Sequence, residues 1–383
     1  MAKQDVVGTP PALTSWLGHP YKRAMSSRAP AEAPDDMIPA LNSKIVAEVL
    51  SGFDDPVLGP RVWTALLQRG PTNAVNLTWH WQRCWWEAFG SGQLLLIGAW
   101  RGGELVAVAP LFADSGMVFN ICPEDHLDFV GDVSDAAVLD AILRTARDCV
   151  DRFLGFRFYF IPDRSTTRSR LEQAAAQLGL LIHQEATLAS PWLDLKACPA
   201  AAEECTRKTS LLRHERFFRR DGGLHVDHWN DASDVAPCLD DFFEQHIARR
   251  AATPHPSLFC EPRQRAYYRH LTREAASQGW LRFTRLSWHG QAIAYHFGLN
   301  YEGRYLWGIP SFDIRLSRHS PGEVLLRQVL LQAIAEGATQ FDFGPGDEAY
   351  KHRFANAVTN LETWGLYPAS EAFTECSSGI EAT

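Results

Sequence analysis

The residues best suited to chemistry lie close together in the second half of the chain, from Tyr305 to Phe354. A basic loop runs into a helix start there, and the residues that would hold an anion are Arg315, Arg318, His319, Ser320 and Gly322. Ser320 is expected to cap the first turn, Pro321 suits the first helical position, and Glu323 completes a capping box. Free N–H groups and the helix dipole attract anions at such a start. An ordinary strand–helix–strand crossover, capped only for stability, has the same pattern.

The elements around this loop follow from periodicity and turn residues. A short apolar and aromatic run predicts a strand at Tyr305–Ile309, and alternation predicts another at Gln340–Phe343. Between them, apolar residues at helical spacing predict a helix from Pro321 that ends at Gly337. A glycine-proline turn then leads into a short helix that carries Tyr350 and Lys351.

The first half of the chain repeats this order of elements. The hairpin Trp100–Ala107 is similar to Trp288–Ala294, and Phe158–Asp163 is similar to Phe341–Asp347. The first half has neither the basic loop nor the Tyr-Lys pair, so only the second half is expected to be active. The pattern predicts an α/β fold of mixed sheets in two related halves. The expected organisation is a flexible leader (1–41), a first domain (42–190), a second domain (191–368) and a tail (369–383).

Composition narrows the function classes. The net charge is −8, from 37 basic and 45 acidic residues, which argues against a general nucleic-acid binder. The eight cysteines are scattered without a C-x-x-C pair, as in a protein with reduced thiols. No run has the length of a signal peptide core or a membrane span, so a soluble cytoplasmic protein is expected. The run Glu124-Asp125-His126 is adjacent in sequence and converges poorly on one ion, so no metal is expected.

Several of these segments resemble a known family. Ser320-Pro321-Gly322, Phe341–Gly346 and Tyr350-Lys351 resemble the C-terminal half of the CelD-like acyltransferases associated with bacterial cellulose synthesis. The Trp-rich helix at 79–89 and the hairpin ending at Val106–Leu111 resemble the N-terminal half. That family belongs with the FemAB-like branch of the GNAT superfamily. The resemblance implies two tandem GNAT-like domains, each with a strand–loop–helix–strand core.

The resemblance also implies a reaction and the residues that perform it. A thioester donor, acyl-CoA such as acetyl-CoA, would lie between two splayed parallel strands, with its pyrophosphate on the loop before the helix. An amine on a small molecule, peptide or sugar would attack the thioester directly, and Tyr350 would protonate the leaving thiolate. The catalytic candidates are Tyr350, Asp342, Asp347 and Lys351, and the substrate-contacting candidates are His246, Arg249 and Trp307.

Two alternatives remain open at this stage. The GNAT phosphate loop is usually Q/R-x-x-G-x-G/A, whereas this chain has Arg315-Leu-Ser-Arg-His-Ser320, without the small residues. Aminoacyl-tRNA, the donor of FemAB-type relatives, would suit a more basic site, and Thr206–Arg220 is either a patch for such a polyanion or a solvated helix face. The other alternative is a catalytically degenerate scaffold in exopolysaccharide production.

Overall fold

The computed structural model describes residues 44–122 and 124–369. The predicted leader, and the predicted tail beyond residue 369, lie outside these ranges. The described residues form the strands β1 (Ile45–Val49), β2 (Gln93–Arg101), β3 (Glu104–Asp114), β4 (Met117–Asn120), β5 (Val130–Gly131), β6 (Gly155–Pro162), β7 (Leu180–Asp194), β8 (Leu224–Trp229), β9 (Leu281–Trp288), β10 (Gln291–Tyr301), β11 (Arg304–Phe312), β12 (Gln340–Asp342) and β13 (Ala357–Pro368). The helices are α1 (Pro60–Leu67), α2 (Trp79–Phe89), α3 (Ala136–Asp148), α4 (Thr167–Leu178), α5 (Pro199–Thr206), α6 (Thr209–Arg219), α7 (Ala232–Val235), α8 (Leu239–Arg250), α9 (Pro262–Ser277), α10 (Pro321–Ala335) and α11 (Ala349–His352).

One mixed sheet runs through both halves. Its strand order is β1-β2-β3-β4-β6-β13-β7-β12-β11-β10-β9-β8, with β5 paired to β3. The predicted hairpins appear as β2–β3 and β9–β10, and each contains one register shift. The mixed α/β fold predicted from the sequence is confirmed.

The two halves exchange their last strands at the middle of the sheet. β7 closes the first half, yet it pairs with β12 of the second half. β13 closes the second half, yet it pairs with β6 of the first half. The two strands also pair with each other, from Ala357 opposite Trp192 to Pro368 opposite Leu180. Each half therefore depends on a strand from the other for its backbone hydrogen bonds.

Apolar side chains fill both faces of this sheet. α10 buries Val324, Leu325 and Val329 against the sheet, where it packs on β9, β10 and β11. Gly337 has the positive φ of 72° expected after a helix end. The Trp-rich helix α2 is also packed in the core, since Trp81 and Trp85 lie in a cluster that extends to α8 and α9. That core joins α2 of the first half to α9 of the second, and α2 packs directly on α9.

Three properties hold for the described residues as a whole. None of their helices is long and apolar enough to cross a membrane. Their seven cysteines are all free thiols. They contain no group of three or more His, Cys, Asp or Glu side chains arranged to hold a metal ion. The run Glu124-Asp125-His126 takes part instead in a network between the halves, described below.

Each half contains one parallel strand pair of three residues, and the two pairs continue differently. β4 pairs with β6 from Met117 to Phe119, and β11 pairs with β12 from Arg304 to Leu306. In the first half the Asn120 amide then continues the ladder, since it donates to Tyr159 O and accepts from Tyr159 N, both at 3.0 Å. The cavity beside it measures about 10 Å³, about the size of one water. The gap that begins where β4 and β6 stop pairing is therefore closed by the Asn120 side chain.

We predict that Asn120→Ala lowers the free energy of unfolding by about 2–6 kcal/mol. The substitution leaves the buried N–H and C=O groups of Tyr159 without partners, and each costs about 1–3 kcal/mol. Urea denaturation followed by tryptophan fluorescence measures the change. Asn230→Ala, at an exposed position, is the matched control. Equal stability of the two variants would show that the amide bridge contributes nothing.

Candidate functional site

The second parallel pair opens into a V. After Leu306, β11 continues beside β10 as far as Phe312, whereas β12 ends at Asp342. The next residue, Phe343, donates its N–H to Pro191 O of β7 at 3.1 Å, so the chain has turned away from β11. The position equivalent to Asn120 is occupied by Trp307, whose indole cannot continue a backbone ladder. The gap between β11 and β12 is therefore not bridged by a side-chain amide, unlike the gap between β4 and β6.

A β-bulge lies on β11 at the mouth of this V. Phe297 pairs with Ile309 and Leu299 pairs with Leu306, so Trp307 and Gly308 together face the single residue between those two on β10. A bulge leaves one residue out of the ladder, which frees a backbone N–H. A Cβ at Gly308 would lie 2.6 Å from Phe297 O, so only glycine fits. This geometry suits a backbone donor for a negatively charged oxygen.

Tyr350 stands at the same mouth, on the short helix α11. The Trp307 indole N–H donates to the Tyr350 oxygen at 3.3 Å, so the Tyr350 proton remains available for donation. Burial of the hydroxyl raises the pKa of Tyr350 to about 12, although Trp307, Arg249 and Arg250 act to lower it. The residue as a whole is 37% exposed. Tyr350 is therefore a protonated acid at neutral pH, accessible from solvent.

The two candidates on α8 have different surroundings. Arg249 donates to Pro310 O at 2.6 Å, and its guanidinium lies 4.5 Å from the Phe312 ring centroid. Burial, with the charge of Arg250, lowers the pKa of Arg249 to about 10, so it remains charged at neutral pH near Tyr350. His246 is buried against the Ser257 hydroxyl at 2.7 Å, and burial with two neighbouring arginines lowers its pKa to about 3. The structure brings Arg249, Trp307 and Tyr350 together and keeps His246 inside the core.

The helix start at Ser320 differs from the prediction. Ser320 has left-handed backbone angles (φ 52°, ψ 55°), and among the described residues its side chain bonds to no N–H of the first turn. The expected side-chain cap and capping box are wrong. Glu323 instead accepts from His214 at 2.8 Å and from Arg353 at 3.0 Å. Gly322 packs tightly, since a Cβ there would lie 3.0 Å from the Phe312 ring.

The basic loop before α10 is a 3-10 helix, Ile314–His319, which packs on α6. His319 stacks flat on Phe217 of α6, with the ring centroids 3.8 Å apart. Arg315 is exposed and paired with Asp313 at 2.7 Å, and Arg318 is exposed. The loop therefore presents one paired and one solvent-facing guanidinium beside the basic helix α6.

Asp342, one of the catalytic candidates, lies in a buried ion pair with Arg304. It is 1% exposed, accepts from Arg304 Nε at 2.6 Å, and accepts from the Gly344 N–H at 2.7 Å. Arg304 also donates to His126 Nε2 at 3.0 Å, while His126 Nδ1 donates to Asp125 at 2.6 Å. A carboxylate paired in this way cannot readily take a proton from an amine. Asp342 instead fixes the base of the strand pair.

The last two catalytic candidates lie around the turn after β12. The Lys351 ammonium is buried and donates to Gly344 O at 3.0 Å, Pro345 O at 2.8 Å and Gly346 O at 3.4 Å. Its contacts hold the glycine-proline turn that aims α11. Asp347 is exposed and binds His352 at 2.5 Å, away from the Trp307–Tyr350 contact.

Two site features escaped the sequence analysis. The bulge did have a signal in the sequence, because a glycine inside a strand, here Gly308, commonly indicates one. Arg304 carried no such signal, because a charged residue at the start of a strand is usually solvated. The larger of the two cavities described, about 90 Å³, lies elsewhere, beside His228 and Glu336.

Comparison with known protein families gives a match within the second half of the chain. The acetyltransferase (GNAT) domain family matches residues 206–352, the region that contains the V, the basic loop and Tyr350. These residues are therefore similar to a GNAT acetyltransferase domain. The expectation of an acyltransferase is confirmed at this level. No curated protein matches the chain.

Solved structures share the fold over most of the chain. FemX aligns with a TM-score of 0.59 at 10% identity, covering 83% of this chain and 98% of FemX. L-PGS from Bacillus licheniformis aligns with a TM-score of 0.51 at 12% identity, covering 83% and 95%. A conserved protein from Bacteroides thetaiotaomicron VPI-5482 aligns with a TM-score of 0.51 at 14% identity, covering 80% and 96%. At these identities the likeness concerns the fold alone.

We predict that Arg304→Met destabilises the protein by about 3–5 kcal/mol, because it leaves the buried Asp342 carboxylate unpaired. The double variant Arg304→Met with Asp342→Leu should recover most of the loss, since both charges are then removed. Urea denaturation of the two variants and the wild type measures this coupling. A double variant as unstable as Arg304→Met would contradict the ion-pair interpretation.

Proposed function

We propose that the second half transfers an acyl group from acyl-CoA to an amine held at the mouth of the V. One observation carries the proposal: the bulge at Trp307–Gly308 and the Tyr350 hydroxyl lie on the same opening, joined by the Trp307–Tyr350 contact. One supplies a backbone N–H and the other a proton. These are the two groups that a thioester transfer needs on the donor side.

The proposed reaction is a direct transfer. The neutral amine attacks the thioester carbonyl, and the negative charge that develops on its oxygen is stabilised by the bulge N–H. The carbon–sulfur bond then breaks, and Tyr350 gives its proton to the leaving thiolate. Lys351 positions α11 in this scheme, and Asp342 and Asp347 act as structural residues. His246 stabilises α8, while Arg249 and Trp307 border the reacting groups.

The donor phosphates are proposed to lie at the start of α10. Pro321 has no N–H, and the N–H groups of Glu323 and Val324 both bond to Ser320 O, so Gly322 supplies the free backbone donor. Arg318 and the stacked His319 flank it. Because the loop lacks the usual small residues, guanidinium groups would replace some of the backbone contacts.

We predict that wild-type protein binds acetyl-CoA and that Ser320→Asp weakens this binding by about tenfold or more. The new carboxylate would stand where the pyrophosphate is expected, and like charges repel. Ser320→Asn is the matched control, because Asn and Asp both tolerate the left-handed backbone and differ in charge. Isothermal titration calorimetry with acetyl-CoA and longer acyl-CoAs measures the dissociation constants. Equal weakening by Asp and Asn would contradict an anion site here.

Aminoacyl-tRNA is the second candidate donor, and one observation favours it. α6 packs on α10 beside the donor loop, its exposed arginines are Arg213, Arg216 and Arg219, and the exposed Arg220 follows it directly. Such a surface suits a large polyanion, whose binding weakens steeply with salt. A protein that binds no acyl-CoA but binds charged tRNA would establish this donor. Binding of neither would favour a scaffold role in exopolysaccharide production.

We predict that Tyr350→Phe lowers kcat about a hundredfold while acyl-CoA binding stays unchanged. The substitution removes the proton donor but keeps the ring against Trp307. Tyr301→Phe is the matched control, since the Tyr301 hydroxyl binds Asn73 away from the V. Release of free thiol in the presence of an acceptor gives kcat, and calorimetry gives the dissociation constant. Full activity in Tyr350→Phe would exclude it as the acid.

Several finer assignments complete the proposal. The first half, whose opening is bridged by Asn120, is proposed to be non-catalytic. The CelD-like resemblance and a cytoplasmic location are retained as proposals. The acceptor is proposed to be an amine on a small molecule, peptide or sugar, and no metal takes part.

A further inference from the structure

Two polar groups without partners lie where the halves meet. The Tyr267 hydroxyl on α9 belongs to a residue 1% exposed, and within the described residues it has no hydrogen-bond partner. The Glu124 N–H donates to Cys122 O at 2.7 Å, and the Cys122 sulfur accepts from Trp81, whose ring packs on Tyr267, so Glu124 and Tyr267 lie in the same region. Burial, followed by the charge of Glu124, raises the pKa of Tyr267. No hydrogen bond joins them in the described structure. The Tyr267 oxygen and the Glu124 carboxylate can therefore each accept a hydrogen bond from a ligand.

Aromatic rings from both halves surround this pair. Trp81 of α2 donates to the Cys122 sulfur at 3.0 Å and meets the Tyr267 ring edge-on, with centroids 6.3 Å apart. The ring centroids of Tyr268 and Phe297 are 5.2 Å apart, and Phe297 lies on β10, the strand that pairs with β11 at the bulge. Glu124 therefore faces a wall of aromatic rings on the sheet face opposite α10.

The Asp342–Arg304–His126–Asp125 network places Glu124 near the V. Glu124 is two residues from His126, which an extended chain separates by at most about 7 Å. Arg304 and Asp342 form the base of the strand pair that opens into the V. Asp125 is already bound to His126, whereas among the described residues Glu124 pairs with no cation. Glu124 is thus the acidic group left available on this side of the strand pair.

We propose that Glu124 binds the ammonium group of the acceptor and removes its proton. This inference rests on the proposed function and names the acceptor as a primary alkylamine. The ammonium donates to the Glu124 carboxylate and to the Tyr267 oxygen, and its stem packs on the aromatic wall. Glu124 touches the reacting nitrogen in this assignment and is a catalytic residue.

The proton and electron balance is complete. Glu124 takes one proton from the ammonium, and the freed lone pair forms the bond to the thioester carbon. When the carbon–sulfur bond breaks, the thiolate receives the Tyr350 proton, and the second nitrogen proton restores Tyr350. Glu124 then releases its proton to solvent. The products are an amide, a free thiol and one proton.

The surroundings of Glu124 suit a base at neutral pH. Burial, followed by the charge of Asp125, raises the pKa of Glu124 to about 7, and Cys122 opposes this. The other titratable groups that face it are Tyr267 and Tyr268 of α9, both protonated at neutral pH. A base works only when ionised, so its activity is present above its pKa and is lost as pH falls through about 7.

The test uses n-pentylamine as the probe. We predict that wild-type protein binds n-pentylammonium at pH 8, and that Glu124→Gln weakens binding by about 10- to 100-fold, as expected for a hydrogen bond to a charged group. Tyr267→Phe, which removes an unpartnered hydroxyl and should fold normally, should weaken it severalfold. Glu48→Gln, at an exposed position on β1, should have no effect. Calorimetry measures all four dissociation constants.

Activity gives an independent readout. With acetyl-CoA and n-pentylamine, the acid limb of the wild-type pH–rate profile should fall near pH 7 and disappear in Glu124→Gln. Acetyl-CoA binding should be the same in both proteins, so loss of donor binding would concern the proposed function and not Glu124. Absence of n-pentylammonium binding to the wild type, or equal binding to wild type, Glu124→Gln and Tyr267→Phe, overturns the inference.

Discussion

The buried pair between Arg304 and Asp342 holds two strands together for three residues and then lets them separate. Parallel strands that stayed paired would leave no space for a donor, and strands that never met would have no common base. The ion pair fixes where pairing stops, since Asp342 also caps the turn at Gly344. The bulge, the Trp307–Tyr350 contact and the turn held by Lys351 are all arranged around that point. The same arginine extends to His126, so the base of the V is also a contact between the halves.

Comparison of the two halves shows how one side chain alters a shared fold. Both halves contain a three-residue parallel pair followed by a divergence. Asn120 offers an amide with the same donor and acceptor as a peptide, and it continues the first ladder by one step. Trp307 offers an indole and a large ring, which cannot do so. Whether the gap beyond the parallel pair is bridged or open therefore depends on the residue at one strand position.

Periodicity and turn chemistry were sufficient to predict most elements of the second half. β11, α10, β12 and α11 follow from alternation, helical spacing and glycine turns, and the order of elements predicted the repeat. The prediction for Ser320 was wrong because its backbone is left-handed, which a sequence pattern for capping does not detect. Alternation gives the face of β12 on which Asp342 lies but not its partner on that face, Arg304. Arg304 and Glu124 become important only when distant segments meet, and local sequence contains no signal for that.

The exchanged strands β7 and β13 have a consequence for how the chain acquires its structure. β13 ends at Pro368, yet its neighbour β6 begins at Gly155, so this pairing closes a loop of about two hundred residues. Pairings of such separation form slowly and late. During synthesis, β6 and β7 would each have an unpaired edge until β13 has emerged. The centre of the sheet is thus completed last, and a chain that stops before residue 357 would lack the central strand that both halves share.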